Sequence, residues 1–229
     1  RFGEAVEAYE RGRPEYPLEV VEWLLADRPR IVVDLGAGTG KLTRGLVGRA
    51  ETVVAVEPDP GMRGALSRLL PGTSVIEGTG EAIPLRDGYA DAVVAGQAWH
   101  WVDPVAGTAE VARILRPGGL LGLVWNDRDE ADPWVARLSA ILEEFGTSPD
   151  AAYEPRVDAP FGPFEALEMP WIHHVTVPAV VDMVTSRSYV IALPEGARDD
   201  LVAGVRELIA AADLTDAAKK VVAAARAHK

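Results

Sequence analysis

The chain has 229 residues, which at roughly 100–200 residues per domain is one domain or a domain with a small appendage. Hydrophobic residues make up 48% and charged residues 25%, near the average for soluble globular chains, which excludes a disordered or fibrous protein. The net charge of −12, from 23 Lys+Arg against 35 Asp+Glu, argues against the basic stripe that binds nucleic acid and fits an acidic, soluble surface. No apolar run reaches the ~18 residues of a membrane span. A cysteine count of zero removes disulfides, thiolate zinc sites and cysteine nucleophiles together and agrees with a cytoplasmic location. The chain opens on Arg1 rather than Met, so a short leader or tag is expected before it, and the visible start has no signal-peptide apolar core.

In chain order, residues 1–28 read as a short helix around Glu4–Glu10, a break at Pro14 and Pro17, and an amphipathic helix over Leu18–Ala26. From residue 30, short β-branched runs alternate with helical stretches, the pattern of βαβ units and a parallel sheet. Strands are expected at Ile31–Leu35, Thr52–Glu57, Ser74–Glu77, Ala90–Gln97 and Leu120–Trp125; they are apolar on both faces, as strands covered on each side must be. Helices are expected after Gly40 and over Gly61–Leu70. Asp103-Pro104 and Asp132-Pro133 each supply an N-cap and a first-turn proline, starting helices that stop at Arg116-Pro117-Gly118-Gly119 and at Gly146. Beyond residue 147 come a proline-rich loop, an alternating stretch over Ala166–Val177, and helices at Val180–Thr185 and Ala197–Ala212. Val221–Ala227 is open between a helix, favoured by its alanines, and an antiparallel edge strand.

The most informative segment is Val32-Val33-Asp34-Leu35-Gly36-Ala37-Gly38-Thr39-Gly40, a buried strand running into three alternating glycines and then a helix. Glycines there permit a sharp turn and let a ligand lie against the main chain at the carboxyl end of the sheet. The third position of the dinucleotide fingerprint falls on Lys41, and no G-K-[ST] follows, so neither a dinucleotide fold nor a P-loop matches. Glu57 closes the second strand 21 residues after Gly36. A carboxylate there suits two neighbouring ribose hydroxyls; alone it reads equally as a capping or solvent-facing residue.

Five motifs in order make the chain resemble the class I S-adenosylmethionine (SAM)-dependent methyltransferases, in the small-molecule group that includes trans-aconitate-type enzymes. They are Asp34 to Gly40, Val56-Glu57-Pro58-Asp59-Pro60-Gly61-Met62, and Gly80 to Leu85 with Tyr89 to Val93. Gln97-Ala98-Trp99-His100-Trp101 and Leu115-Arg116-Pro117-Gly118-Gly119 complete the set. The resemblance is strong over residues 30–126, fair at Tyr9…Arg13-Pro14-Glu15-Tyr16-Pro17, and beyond 150 rests on Ser186-Arg187-Ser188-Tyr189. It implies a Rossmann-like α/β fold, mostly parallel, with helices on both faces and a terminal antiparallel hairpin. It also implies SAM as cofactor and S-adenosylhomocysteine as product. Gly36, Ala37 and Gly38 would face the methionine end, with Asp34 near its amino group. Glu57 would hold the ribose, Pro58 and Met62 would pack beside the adenine, and Gly80 and Glu81 would border it. Gln97 and Ala98 would line the methionine moiety. An Asp common in relatives is Thr79 here, which leaves Glu81 or main chain for the adenine amino group.

Chemistry beyond the cofactor is less legible. Methyl transfer chiefly needs alignment of donor and acceptor and exclusion of water, with a base only where the acceptor must lose a proton. His100, just after the fourth strand, is the candidate base, with substrate-pocket lining and a purely structural role as alternatives. Trp101 reads as packing or as an aromatic face near a sulfonium; Asn126 as a substrate hydrogen-bonder or a loop cap. Tyr9 and Arg13 read as a fold over the cofactor carboxylate or as helix packing, and Tyr189 as acceptor-pocket lining. His173-His174 point to opposite faces of a strand and lack an acidic partner at ligand spacing, so no metal is expected. The expected whole is a single methyltransferase domain over 1–229, with a cofactor core at 30–126 and a lid or acceptor region at 1–28 and 147–213. It would move a methyl group to a small organic acceptor, without nucleic-acid or membrane partners; the oligomeric state stays open. A SAM-binding sensor that has lost catalysis and, more remotely, an NAD-dependent oxidoreductase are the alternatives.

Overall fold

The computed structural model describes residues 6–146, 155–211 and 218–229. In chain order the elements are α1 (Val6–Gly12), α2 (Leu18–Leu24), β1 (Ile31–Leu35), α3 (Lys41–Leu46), β2 (Thr52–Val56), α4 (Pro60–Leu69) and β3 (Ser74–Ile76). There follow β4 (Ala90–Gly96), α5 (Pro104–Ile114), β5 (Leu115–Arg128), α6 (Pro133–Glu144), β6 (Glu165–His173), α7 (Val177–Thr185), α8 (Ser188–Ile191), α9 (Glu195–Ala211) and β7 (Ala218–His228). Glu4, the expected start of the first helix, the loop at 147–154 and Ala212 at the end of the last helix lie outside the described residues.

The seven strands form one mixed sheet in the order β3-β2-β1-β4-β5-β7-β6, a Rossmann-like methyltransferase arrangement. The pairs β1–β2, β1–β4, β2–β3 and β4–β5 are all parallel, as the alternation of strands and helices requires. The ambiguous C-terminal stretch is a strand, and β7 inserts between β5 and β6. Its end is held by the Lys229 ammonium, which donates to the carbonyls of Ala112 (2.6 Å) and Leu115 (2.9 Å), and by the Lys229 amide on the Gly119 carbonyl at 2.9 Å.

Several boundaries differ from the sequence reading by a few residues, and two of the differences have a clear structural cause. α5 ends at Ile114 and Arg116-Pro117-Gly118-Gly119 lies inside β5, where the pairing with β4 slips between Ala90 and Ala92 and Gly118 takes φ +77°. β6 stops at His173, because Thr176 caps the next helix by accepting from the Ala179 amide and Pro178 sits in its first turn. The N-caps at Asp103 and Asp132 behave as read, and Asp59, not singled out as a cap in the sequence, starts α4 the same way; each accepts from first-turn amides.

The chain divides into two compact units. The larger holds α2 to α5 and the sheet from β1 to Asn126 of β5, and its core includes Val32, Val33, Leu35, Ala92 to Ala95, Trp99 and Leu121, all buried. Within it α2 lies on β5, where a methyl group on Gly122 would come 2.8 Å from Leu24 Cδ2. The smaller unit gathers α1, α6, α7, α8 and α9 around their own apolar cluster of Trp134, Leu138, Leu142, Met183, Val184, Leu201 and Val205. In it α1 meets α7 backbone to backbone, secured by the Arg11–Asp182 ion pair at 2.7 Å. A Cβ on Gly12 would overlap the Met183 main-chain nitrogen and lie 2.6 Å from the Asp182 carbonyl carbon. Gly12→Ala is therefore expected to destabilise this unit by about 1–3 kcal/mol, the range for overpacking. Gly196→Ala, at a helix start with open space around it, should be neutral or slightly stabilising. Denaturant unfolding with amide exchange across α1 and α7 checks both.

Candidate functional site

Because β1, β2, β4 and β5 run parallel, their carboxyl ends share one edge, and Asp34, Glu57, Gln97 and Asn126 all fall on it or directly after it. The alternating glycines are explained there. Gly36, Gly38 and Gly40 take φ of +68°, +58° and +93°, a left-handed conformation that costs an L-residue about 1–2 kcal/mol. Gly36 and Ala37 donate to the Val56 carbonyl at 2.9 and 3.1 Å, which folds the turn back onto the end of β2. Gly36 also admits the fourth-strand end, since a methyl group on it would come 2.5 Å from Ala98 Cβ.

Glu57 ties this turn to the next one. One carboxylate oxygen accepts the Gly38 amide at 2.8 Å and the other accepts the Asp59 amide at 2.9 Å; Asp59 in turn accepts from Met62 at 2.8 Å and so starts α4. Pro58 lies within this turn, and Met62 is buried on the inner side of α4. Asp34, fully buried, accepts the Thr43 hydroxyl on Oδ2 at 2.5 Å, while its Oδ1 is buried without a hydrogen-bond partner. Desolvation pushes the Asp34 carboxyl up to about 7, against the Thr43 hydrogen bond, and the neighbouring Glu57 charge pushes the same way. Glu57 is also raised, by burial first, with the two amide hydrogen bonds opposing.

The fourth-strand end is strained. Gln97 takes φ +50° with a side chain attached, held by its amide on the Val124 carbonyl at 2.9 Å and its Nε2 on the Asn126 carbonyl at 3.5 Å. Asn126 is buried, and its Nδ2 donates to the Glu15 carbonyl at 3.2 Å. The Glu15–Tyr16 segment is pinned over this edge: Glu15 pairs with Arg44 of α3, and a methyl group on Gly96 would come 2.6 Å from the Tyr16 hydroxyl. Tyr16 and Thr43 escape sequence reasoning. The only signals are the Arg13-Pro14-Glu15-Tyr16-Pro17 run and a hydroxyl one turn into the helix after the glycines.

The remaining candidates have local partners of their own. Gly80 makes room for Val102, whose Cγ2 would lie 2.5 Å from a Cβ there, and the Glu81 carboxylate accepts the Asp103 amide at 2.8 Å at the start of α5. Trp99, fully buried, donates its indole N–H to the Arg156 carbonyl at 3.2 Å, so it packs. Residues Trp99–Trp101 form a single 3-10 turn, in which His100 is half-buried with its ring 4.9 Å from that of Trp101, which is 60% exposed. Tyr9, Arg13 and Tyr189 belong to the smaller unit. There Arg13 lies 5.3 Å over the Tyr9 ring and donates to Ser186 Oγ at 3.4 Å. The Tyr189 hydroxyl is buried without a hydrogen-bond partner, and its ring lies against Gly146. Among the described residues, no group of three or more His, Asp or Glu side chains could hold a metal ion.

The acidic pair makes stability depend on pH with a defined sign. Asp34 titrates higher in the folded chain than unfolded, so the native state binds more protons between the ordinary carboxyl range and about 7. Its contribution is complete below the ordinary carboxyl value and is lost as pH rises through about 7, with Glu57 adding the same sign. Denaturant midpoints should fall over that window in the wild type and fall less in Asp34→Asn.

The chain is similar to known proteins in sequence and in fold. The family described as Methyltransferase domain matches residues 33–123, a span that holds the glycine turn, the Glu57 turn and the fourth-strand end. An uncharacterized methyltransferase of Mycobacterium tuberculosis is 50% identical over 209 residues, 91% of this chain and 85% of that protein. A methyltransferase-like protein of Schizosaccharomyces pombe is 32% identical over 227 residues, 90% of this chain and 85% of the relative. A solved structure from Anaeromyxobacter dehalogenans, described as a type II methyltransferase, superposes with a TM-score of 0.66 at 25% identity, over 94% of this chain and 97% of that one. A match of this extent on both sequence and fold sets aside the oxidoreductase alternative, and the chain belongs to the class I SAM-dependent methyltransferases.

Proposed function

We propose that this methyltransferase moves a methyl group from SAM to a small organic acceptor in the cytoplasm, with the cofactor held along the carboxyl ends of β1, β2 and β4. The observation that carries the proposal is the acidic pair at that edge. Asp34 Oδ1 is a buried acceptor with no hydrogen-bond partner, and Glu57 beside it is tied to the glycine turn. Such a pair suits a ligand that brings positive charge and hydroxyl donors, and the residues present fit SAM. When bound, SAM supplies a methyl group on a sulfonium, already activated for in-line displacement.

In this reading Gly36, Ala37 and Gly38 present main chain to the methionine end, and Gln97 and Ala98 line it. Glu57 accepts the ribose hydroxyls on lone pairs left over after the Gly38 and Asp59 amides are served, since two carboxylate oxygens offer about four acceptor sites. Pro58 and Met62 form the adenine side, with Gly80 and Glu81 at its border. His100 takes a proton from the acceptor where one must leave, or lines the acceptor pocket together with Trp101 and Asn126. By the family resemblance, Tyr9 and Arg13 would fold over the cofactor carboxylate and Tyr189 would line the acceptor pocket. The chain mainly aligns donor and acceptor and excludes water, worth up to ~7–11 kcal/mol in favourable cases. Among the described residues no helix is long and apolar enough to cross a membrane.

Calorimetry tests the reading directly. S-adenosylhomocysteine should bind and raise the melting temperature, with no comparable response to NAD or NADP; the reverse ranking overturns it. Glu57→Ala should weaken binding by about 1.5–3 kcal/mol, roughly 10–150-fold, and should also destabilise the fold because two main-chain amides lose their acceptor. Glu57→Gln is not conservative here: both oxygens accept from N–H groups, so the amide NH2 must face one of those donors. His100→Ala should leave cofactor affinity within a few-fold and act on turnover.

A further inference from the structure

One side chain on this edge, Asp34, is set apart by its burial. It is fully buried at the end of β1, one oxygen accepts the Thr43 hydroxyl at 2.5 Å from α3, and the other has no hydrogen-bond partner. The groups around it are few. From β2 it faces the Glu57 carboxyl, which acts on it by charge; from α3 it faces Thr43, while the adjoining β4 positions Val93 and Val94 are apolar. Lys41 and Arg44 stand on α3 as well, and Arg44 is engaged by Glu15. Charges act across such a low-dielectric interior without contact, so a ligand's charge at this edge is felt by Asp34 with a strength that falls with its distance.

The methyl donor and the product of this reaction differ in that charge. Transfer of the methyl group leaves a neutral thioether where a sulfonium stood, so one positive charge leaves the cofactor when the acceptor is methylated. On the cofactor placement proposed above, we propose that Asp34 is a specificity-determining residue that distinguishes methyl donor from spent product by charge. The ionised carboxylate favours the sulfonium form, and the protonated carboxyl accommodates the thioether. Protonation balances simply: the proton leaves Asp34 to solvent as SAM binds and returns from solvent after transfer. The shifted titration of Asp34, near 7, puts this exchange within reach of ordinary pH. The neutral acid keeps an O–H donor and an acceptor, so it can stay buried beside Glu57 without an unpaired charge.

The test uses the full chain with SAM and S-adenosylhomocysteine as probes and no acceptor present. Dissociation constants for both are measured by calorimetry between about pH 5.5 and about pH 8.5, in buffers of different ionisation enthalpy so that protons exchanged are counted. The preference for SAM over S-adenosylhomocysteine should rise with pH by about tenfold, as expected if the two ligands set the Asp34 titration about one unit apart. SAM binding should release more protons than S-adenosylhomocysteine binding. In Asp34→Asn, which keeps an acceptor for Thr43, the preference should be flat with pH. A preference independent of pH in the wild type, or equal proton counts for the two ligands, overturns the inference even if the variant does not fold. Failure of either ligand to bind at any pH overturns the cofactor placement instead.

Discussion

The carboxylate of Glu57 bridging two main-chain amides, Gly38 at 2.8 Å and Asp59 at 2.9 Å, is the constraint on which the rest of the site depends. It joins the turn after β1 to the turn after β2, and each turn launches a helix. Gly40 in a left-handed conformation opens α3, and Asp59 caps α4 through the Met62 amide. Burial raises the cost of keeping Glu57 ionised, and the two amides lower it again, which is why a carboxylate can sit there at all. Burial raises the neighbouring Asp34 carboxyl to about 7, and the Glu57 charge pushes it the same way.

Around that bridge the edge of the sheet is built from groups under tension or left unsatisfied. Gln97 carries a side chain in the left-handed region, and Asp34 Oδ1 and Asn126 Oδ1 are buried acceptors without partners. Folding alone gains nothing from such atoms, since an unmet buried acceptor costs about 1–3 kcal/mol. Their concentration where four parallel strands end is what a site for a ligand rich in donors and positive charge would need. Packing elsewhere in the larger unit is conventional, with apolar side chains from β1, β4 and β5 filling the interior.

Much of the fold is legible in the sequence because its signals are local. Asp-Pro pairs at 103–104 and 132–133 start helices through N-caps that need only neighbouring amides, and the β-branched runs from Ile31 to Trp125 can serve only as covered strands. The Arg116-to-Gly119 run reads as a stop, yet it forms a slip within β5, because pairing with β4 decides whether such a run ends an element or bends it. Val221–Ala227 is undecidable locally: alanines favour helix, and only the open position between β5 and β6 makes the stretch a strand.

The sequence by itself determined the class of the protein and the identity of its glycine turn and acidic partner, because a ligand lying against the backbone admits few residues at those positions. Tertiary structure alone decided how those residues are occupied before any ligand arrives. Glu57 is already spoken for by two amides, Glu81 is drawn to the α5 start, and Trp99 is in the core while Trp101, two residues on, is exposed. It also decided that Tyr16 rests on Gly96 and that Asp34 answers to Thr43, partners 80 and 9 residues away in the chain. The physical reason is that a hydrogen bond or a desolvation cost depends on what the fold brings within a few ångströms, and spacing along the chain carries no record of it.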